Sequence, residues 1–183
     1  VVGQLLGRRD DGADGRRRPY ELLLGRGTYE IFAADWPYVP DGPISERLNG
    51  TRKHVASTTL EQLDWNNSTL ITGDVAEYVS ILKSQEGPDI QVQGSPGLIQ
   101  TLLEHDLIDE FRIWIFPVVI GAGKRLFGDG TIPAGLKLVD SKVSKTGVTI
   151  NTYERAGDID RGSFALDEPT EAEIERRRRL TDD

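Results

Sequence analysis

The chain contains no cysteine and no methionine. Without thiols there can be no disulfides, thiolate nucleophiles or thiolate metal sites. The two histidines, His54 and His105, are too few for a histidine-rich metal centre, and no metal is expected. No apolar run approaches the length of a membrane span, so no membrane partner is expected. Val1-Val2-Gly3-Gln4-Leu5-Leu6-Gly7 is too short for a secretory signal and runs straight into Arg8-Arg9-Asp10-Asp11. The cytoplasm is therefore the expected compartment. A net charge of −8 argues against a general nucleic-acid binder. The lack of any methionine, including a first one, suggests a piece of a longer product whose first element is missing before Val1.

What is present reads as one soluble α/β domain. At 183 residues and 37% hydrophobic, the chain has material for a single core, expected over 1–155, with a charged tail over 156–183. Residues 8–18 hold no apolar side chain larger than alanine and read as a solvated loop. Tyr20 to Leu24 predicts a strand ending at Gly25-Arg26-Gly27, followed by a helix with Thr28 at its start. Ile44 to Leu48 predicts a helical turn, and Arg52 to Ala56 and Thr69 to Thr72 predict strands. Asp74 and Glu77 form a capping-box pattern ahead of Val75, Tyr78, Val79 and Leu82, which share one helix face. Phe111 to Ile120 is almost continuously apolar and predicts a strand buried on both faces. Leu136 to Val143 and Val148 to Tyr153, separated by Lys145-Thr146-Gly147, predict a closing antiparallel hairpin. From Ala156 onward there are nine acidic and five basic residues; Thr170 and Glu173 predict the cap of a short helix ending in Arg176 to Arg179.

The most informative stretch runs from Gln91 to Leu103. A strand with apolar Ile90 and Val92 turns at Gly94-Ser95-Pro96-Gly97 into a helix with Leu98, Ile99, Leu102 and Leu103 on its apolar face. Ser95 is placed to cap that helix and Pro96 suits its first turn. Glycines at 94 and 97 admit a ligand to the backbone, and the free N–H groups of the first turn favour a phosphate or pyrophosphate. Alternative constellations fail. Gly121-Ala122-Gly123-Lys124-Arg125-Leu126 has Val118 and Arg125 where a Walker loop needs glycine and serine or threonine, and Leu126 where the dinucleotide fingerprint needs its third glycine. Gln93 likewise breaks the nucleophile-elbow pattern around Ser95.

Taken in order, Gly25-Arg26-Gly27-Thr28-Tyr29-Glu30, Ser57-Thr58-Thr59, Gly94-Ser95-Pro96-Gly97 and Phe116-Pro117-Val118-Val119-Ile120-Gly121-Ala122-Gly123-Lys124-Arg125-Leu126-Phe127 resemble the dihydrofolate reductase-like family. The closer resemblance is to its branch containing the reductase domain of the bifunctional riboflavin-biosynthesis deaminase-reductase, over about Leu22 to Tyr153. The resemblance implies a three-layer α/β/α fold, with a mixed, mainly parallel central sheet and a C-terminal antiparallel hairpin. It also implies NADPH as cofactor. Gly25, Arg26 and Thr28 would meet its phosphates, Ser57, Thr58 and Thr59 its 2′-phosphate, and Gly94, Ser95, Pro96, Gly97 and Leu98 its pyrophosphate.

The activity implied is hydride transfer to a small heterocyclic or phosphoribosylated substrate, nearest to 5-amino-6-(5-phosphoribosylamino)uracil reductase, with dihydrofolate as the second substrate considered. Tyr29, Trp36 and Phe127 are candidates to stack on a planar heterocycle, and Lys124 to bind an anionic substituent. The family's first central strand, and the acidic residue after it, have no counterpart in the sequence, so no proton donor is assigned and a gap is expected at the centre of the sheet unless another segment fills it. A nucleotide-binding or assembly protein without turnover is the alternative of another class. Homodimerisation through a sheet edge near Trp114 is also implied by the resemblance.

Overall fold

The computed structural model describes residues 2–6, 19–128, 131–159 and 168–181. The loop reading of 8–18 lies outside them. Four strands run parallel: β2 (Tyr20–Gly25), β3 (Lys53–Ala56), β4 (Ser68–Ile71) and β5 (Asp89–Gln93). The segments between them supply α1 (Arg26–Asp35), a 3-10 turn at Trp36–Tyr38, α2 (Pro43–Gly50) and α3 (Val75–Ser84), and α4 (Pro96–Glu104) follows β5. Four antiparallel strands complete the sheet: β1 (Val2–Leu6), β6 (Glu110–Ile115), β7 (Leu136–Val143) and β8 (Thr149–Arg155), in the order β4-β3-β2-β5-β1-β6-β8-β7. The helix α5 (Glu171–Thr181) follows, with Glu173 N–H donating to Thr170 Oγ1 at its first turn as the capping pattern predicted.

The gap expected at the centre of the sheet is filled from within the chain. β1 lies between β5 and β6, antiparallel to both, with Gln4 opposite Val92 on one side and Phe111 on the other. Each neighbour presents a row of backbone donors and acceptors that must be paired, and a five-residue strand is enough to pair them. This corrects the expectation that the central strand lies wholly before Val1.

The three fully buried leucines of β2 alternate between the two faces of the sheet and divide the core between them. Leu23, with Ile71, Ile90 and Val92, packs against Val79 of α3 and Ile99, Leu102 and Leu103 of α4. Leu22, Leu24 and Val55 pack against Tyr29 of α1, Leu48 of α2 and Trp65. Helices thus cover both faces, giving three layers. Asp74 caps α3 by accepting from Glu77 N–H at 2.8 Å, as the sequence pattern predicts. One expectation fails in part. The strand read from Phe111 to Ile120 ends at Ile115, and although Phe111 is fully buried, Val119 and Ile120 are 99% and 81% exposed. Pro117 lacks a backbone donor, and Val118 N–H closes a tight turn on Phe116 C=O at 2.8 Å, so the chain leaves the sheet there.

Two polar side chains are buried in β3. His54 is held between Glu21 Oε2 at 2.9 Å and the Tyr78 hydroxyl at 2.8 Å, joining β2, β3 and α3. On the other face, fully buried Lys53 points its Nζ at the carbonyls of Thr51 (2.7 Å), Asn66 (3.1 Å) and Asn49 (3.2 Å), 4.1 Å from the centre of the Trp65 ring. Burial lowers the Lys53 ammonium to about 8. An unfolded lysine keeps its proton up to about pH 10.4. Between these values the unfolded chain binds more protons than the folded one, so this residue's contribution to stability is complete above the upper value and lost as pH falls through the lower. The expected outcome is that the urea midpoint of the wild type, relative to Lys53→Met, rises across that window. A flat difference between the two proteins would refute it.

Candidate functional site

The carboxyl ends of β2, β3 and β5 run directly into three of the predicted segments: Gly25 to Thr28, Ser57 to Thr59, and Gly94 to Leu98. Parallel α/β sheets bind ligands in the crevice beyond such strand ends. The first and third segments are fastened together by one serine. Ser95 Oγ accepts from Gly25 N–H at 2.9 Å and donates to Thr28 Oγ1 at 2.9 Å, while Ser95 N–H donates to the same Thr28 oxygen at 3.1 Å. Ser95 was expected to cap α4 but does not. Its backbone is left-handed (φ 56, ψ 56) and its side chain turns towards α1. A Cβ on Gly94, whose φ is +65°, would meet Thr28 Oγ1 at 3.0 Å, and one on Gly25 would press on Ser95 Oγ at 3.2 Å, so a side chain at either position crowds this joint.

The helix starts beside this joint remain open. Neither α1 nor α4 has a side-chain cap or an acidic residue in its first turn. α1 begins at Arg26, two residues before the expected Thr28, because the Thr28 hydroxyl is engaged by Ser95. With both its lone pairs engaged by Ser95, the hydroxyl keeps its own proton to give to a ligand. Gly97 has open space where a side chain would be, exposing the first turn of α4. Beside it a cleft of about 420 Å³ is lined by Pro96, Gly97, Gln100, Gly123, Lys124, Arg125 and Gly128. Free N–H groups at a helix start, together with two cationic side chains, form a site for an anion. A second cleft, of about 490 Å³, lies at the opposite ends of the strands around Glu21 and Arg52 and contains none of the predicted residues.

The remaining predicted residues divide. Arg26 is exposed and pairs with Glu30 at 3.2 Å. Ser57 Oγ accepts from the N–H groups of Thr59 (3.1 Å) and Leu60 (3.0 Å), a tight turn that leaves Thr58 and Thr59 exposed. Lys124 is brought to the α4 cleft, next to the residues predicted for pyrophosphate. Phe127 is partly exposed, its ring 5.9 Å from that of Phe111. Tyr29 is not on the crevice surface. It is buried, its hydroxyl accepts from Trp65 N–H at 3.0 Å, and it belongs to the core under α1. Trp36 packs at the edge of the same cluster, edge-on to Phe32. Tyr29 is therefore corrected from a substrate contact to a packing residue, while Trp36 remains half-buried at the edge of that cluster.

Sequence reasoning missed Gln100. Its amide donates to Leu126 C=O at 2.8 Å and accepts from Thr131 Oγ1 at 2.7 Å. The available signal was a long polar side chain set directly after Ile99, three residues on from Gly97 at the start of the same helix.

Residues 7–150 match the family model of the RibD C-terminal domain. The chain belongs to the RibD C-terminal domain family. Its relatives include YyaP of Bacillus subtilis (strain 168), an uncharacterized protein that is 33% identical over 143 residues, 74% of each chain. YwjB of the same organism, also uncharacterized, is 28% identical over 135 residues, covering 74% of this chain and 73% of its own. Among solved structures, a Shewanella sp. PV-4 protein named for riboflavin biosynthesis superposes with a TM-score of 0.60 at 24% identity, covering 81% of this chain and 84% of that one. A pyrimidine reductase-like protein of Corynebacterium diphtheriae gives 0.52 at 13% identity, over 75% and 76%. These likenesses establish the fold, a dihydrofolate reductase-like α/β sheet of the RibD C-terminal type.

The serine joint sets the site's geometry. Thr28→Val keeps the side-chain shape but strands the Ser95 N–H and hydroxyl, and is expected to destabilise by about 1–3 kcal/mol in urea unfolding. Thr28→Ser keeps the oxygen and should stay within about 0.5–1 kcal/mol of wild type, the cost of a lost methyl. Equal losses in both variants would show that the hydrogen bonds are not what holds the turns together.

Proposed function

We propose that this RibD C-terminal domain protein is an NADPH-dependent reductase of a small heterocyclic or phosphoribosylated substrate, with the aminopyrimidine reduction of riboflavin biosynthesis as the nearest reaction. The observation that carries the reading is the pair of uncapped helix starts, α1 and α4, joined through Ser95 and Thr28 beside Lys124 and Arg125. An extended ligand with several phosphate groups uses all of these features at once. The reductase-like names among the structural relatives support the same reading.

In this reading the first-turn N–H groups of α4 and the Thr28 hydroxyl donate to the pyrophosphate, and Arg26 leaves Glu30 to meet a phosphate with its planar fork. The exposed Thr58 and Thr59 hydroxyls, with the turn built on Ser57, hold the 2′-phosphate. Lys124 stands at the mouth of the cleft to hold an anionic group. Bound NADPH supplies the hydride, delivered to a polarised C=N or C=O carbon of the substrate. The protein's part is to fix the two reactants in one orientation in the crevice. Trp114 lies on β6, which is flanked by β1 and β8 and is not the edge strand the resemblance implied, so two copies of the chain associate instead through the exposed apolar run from Trp114 to Ile120, and the compartment is the cytoplasm.

Calorimetry with NADPH and NADH tests the cofactor. NADPH should bind at least about tenfold more tightly, a difference of ~1.4 kcal/mol for contacts to one phosphate. Arg26→Ala and Thr58→Ala should each weaken NADPH by about three- to tenfold, and Thr58→Ala should leave NADH unchanged. Absence of binding to either dinucleotide would remove the cofactor assignment. For the dimer, Val119→Asp should halve the mass seen in sedimentation, and a monomeric wild type would overturn that part.

A further inference from the structure

Between β6 and β7 the chain runs from residue 116 to residue 135 without a strand or helix among its described residues. A connection of this length inside a compact domain is unusual and commonly carries function. Lys124 and Arg125 sit on it, both exposed, in the cleft shared with Pro96 and Gly97. Gln100 lies three residues after Gly97, on the same side of α4 and directly below the helix start. Its single amide ties two points of the connection to the helix: Leu126 C=O at 2.8 Å, next to the cationic pair, and the Thr131 hydroxyl at 2.7 Å. The Thr131 hydroxyl is also 2.8 Å from Gly128 C=O, and Thr131 N–H donates to that carbonyl at 3.3 Å. Just beyond the cationic pair, Leu126 packs on the core formed with α3 and α4, and Phe127 on Phe111.

We propose that Gln100 is a positioning residue that holds the connection at Leu126 and Thr131 beside the start of α4, so that Lys124 faces the same anion as the helix N–H groups. The inference rests on the cofactor reading above and deepens it. Gln100 acts through Lys124 without needing to touch the ligand. The amide is suited to this task because it presents a donor and an acceptor at once, matching a carbonyl and a hydroxyl. A glutamate would turn an acceptor towards the Leu126 carbonyl, and a leucine would satisfy neither partner.

Two measurements test it on the whole chain. Without any ligand, tryptic cleavage after Lys124 and Arg125 should be about tenfold faster in Gln100→Leu than in wild type, while the circular dichroism spectrum stays the same. Unchanged cleavage would overturn the tie. With NADPH as probe, Lys124→Ala should weaken binding about tenfold in the wild-type background and less than about twofold in Gln100→Leu, because a lysine no longer held in place has little left to lose. Additive effects would overturn the positioning role. If wild-type protein binds no NADPH, the cofactor reading and the positioning role built on it both fall, whereas the tie itself is still decided by the tryptic comparison. Thr131→Val, which removes one of the two bonds, should give an intermediate cleavage rate, and a rate equal to wild type would count against the hydroxyl's part in the tie.

Discussion

Two strand-to-helix turns, one after β2 and one after β5, meet so closely that neither Gly25 nor Gly94 could carry a side chain without displacing a neighbour. Ser95 fills the space between them and adopts a left-handed backbone to do so, a conformation that costs of order 1–3 kcal/mol outside glycine. Three hydrogen bonds to Gly25 and Thr28 offset that strain. Because α1 lies on one face of the sheet and α4 on the other, this small joint fixes the positions of the two helix starts relative to each other. The rest of the crevice is arranged around it.

The three layers were legible only through the family resemblance. The strand at Tyr20 to Leu24, the Asp74 cap and the closing hairpin follow directly from residue pattern. The glycine turns were legible as turns, but the partner of Ser95 was not, because a hydroxyl that can cap its own helix can equally bond a threonine 67 residues away. The role of Tyr29 was not legible for a related reason. An aromatic ring beside a glycine turn serves a ligand or the core equally well, and only the position of Trp65, brought in by the segment after β3, decides for the core. Gln100 went unnoticed because its partners, Leu126 and Thr131, are on a connection with no periodicity to read.

The chain is acidic overall, yet Arg26, Lys124 and Arg125 gather at one end of the sheet beside two helix starts without acidic first-turn residues. Basic side chains and uncapped helix starts at one end favour anions there even though the molecule as a whole is negative. Net charge alone argued only against nucleic acid, and it concealed this asymmetry.

The central place of β1 bears on the order in which the sheet can be assembled. Val2–Leu6 pairs with residues 90–93 on one side and 110–113 on the other, so both of its partners lie far along the chain. The parallel strands β2 to β5 and the antiparallel β6 to β8 can each pair with near neighbours in sequence, but joining the two halves requires closing a long loop around β1. The sheet is therefore joined at its middle, by a strand that can be secured only after both distant partners are in place.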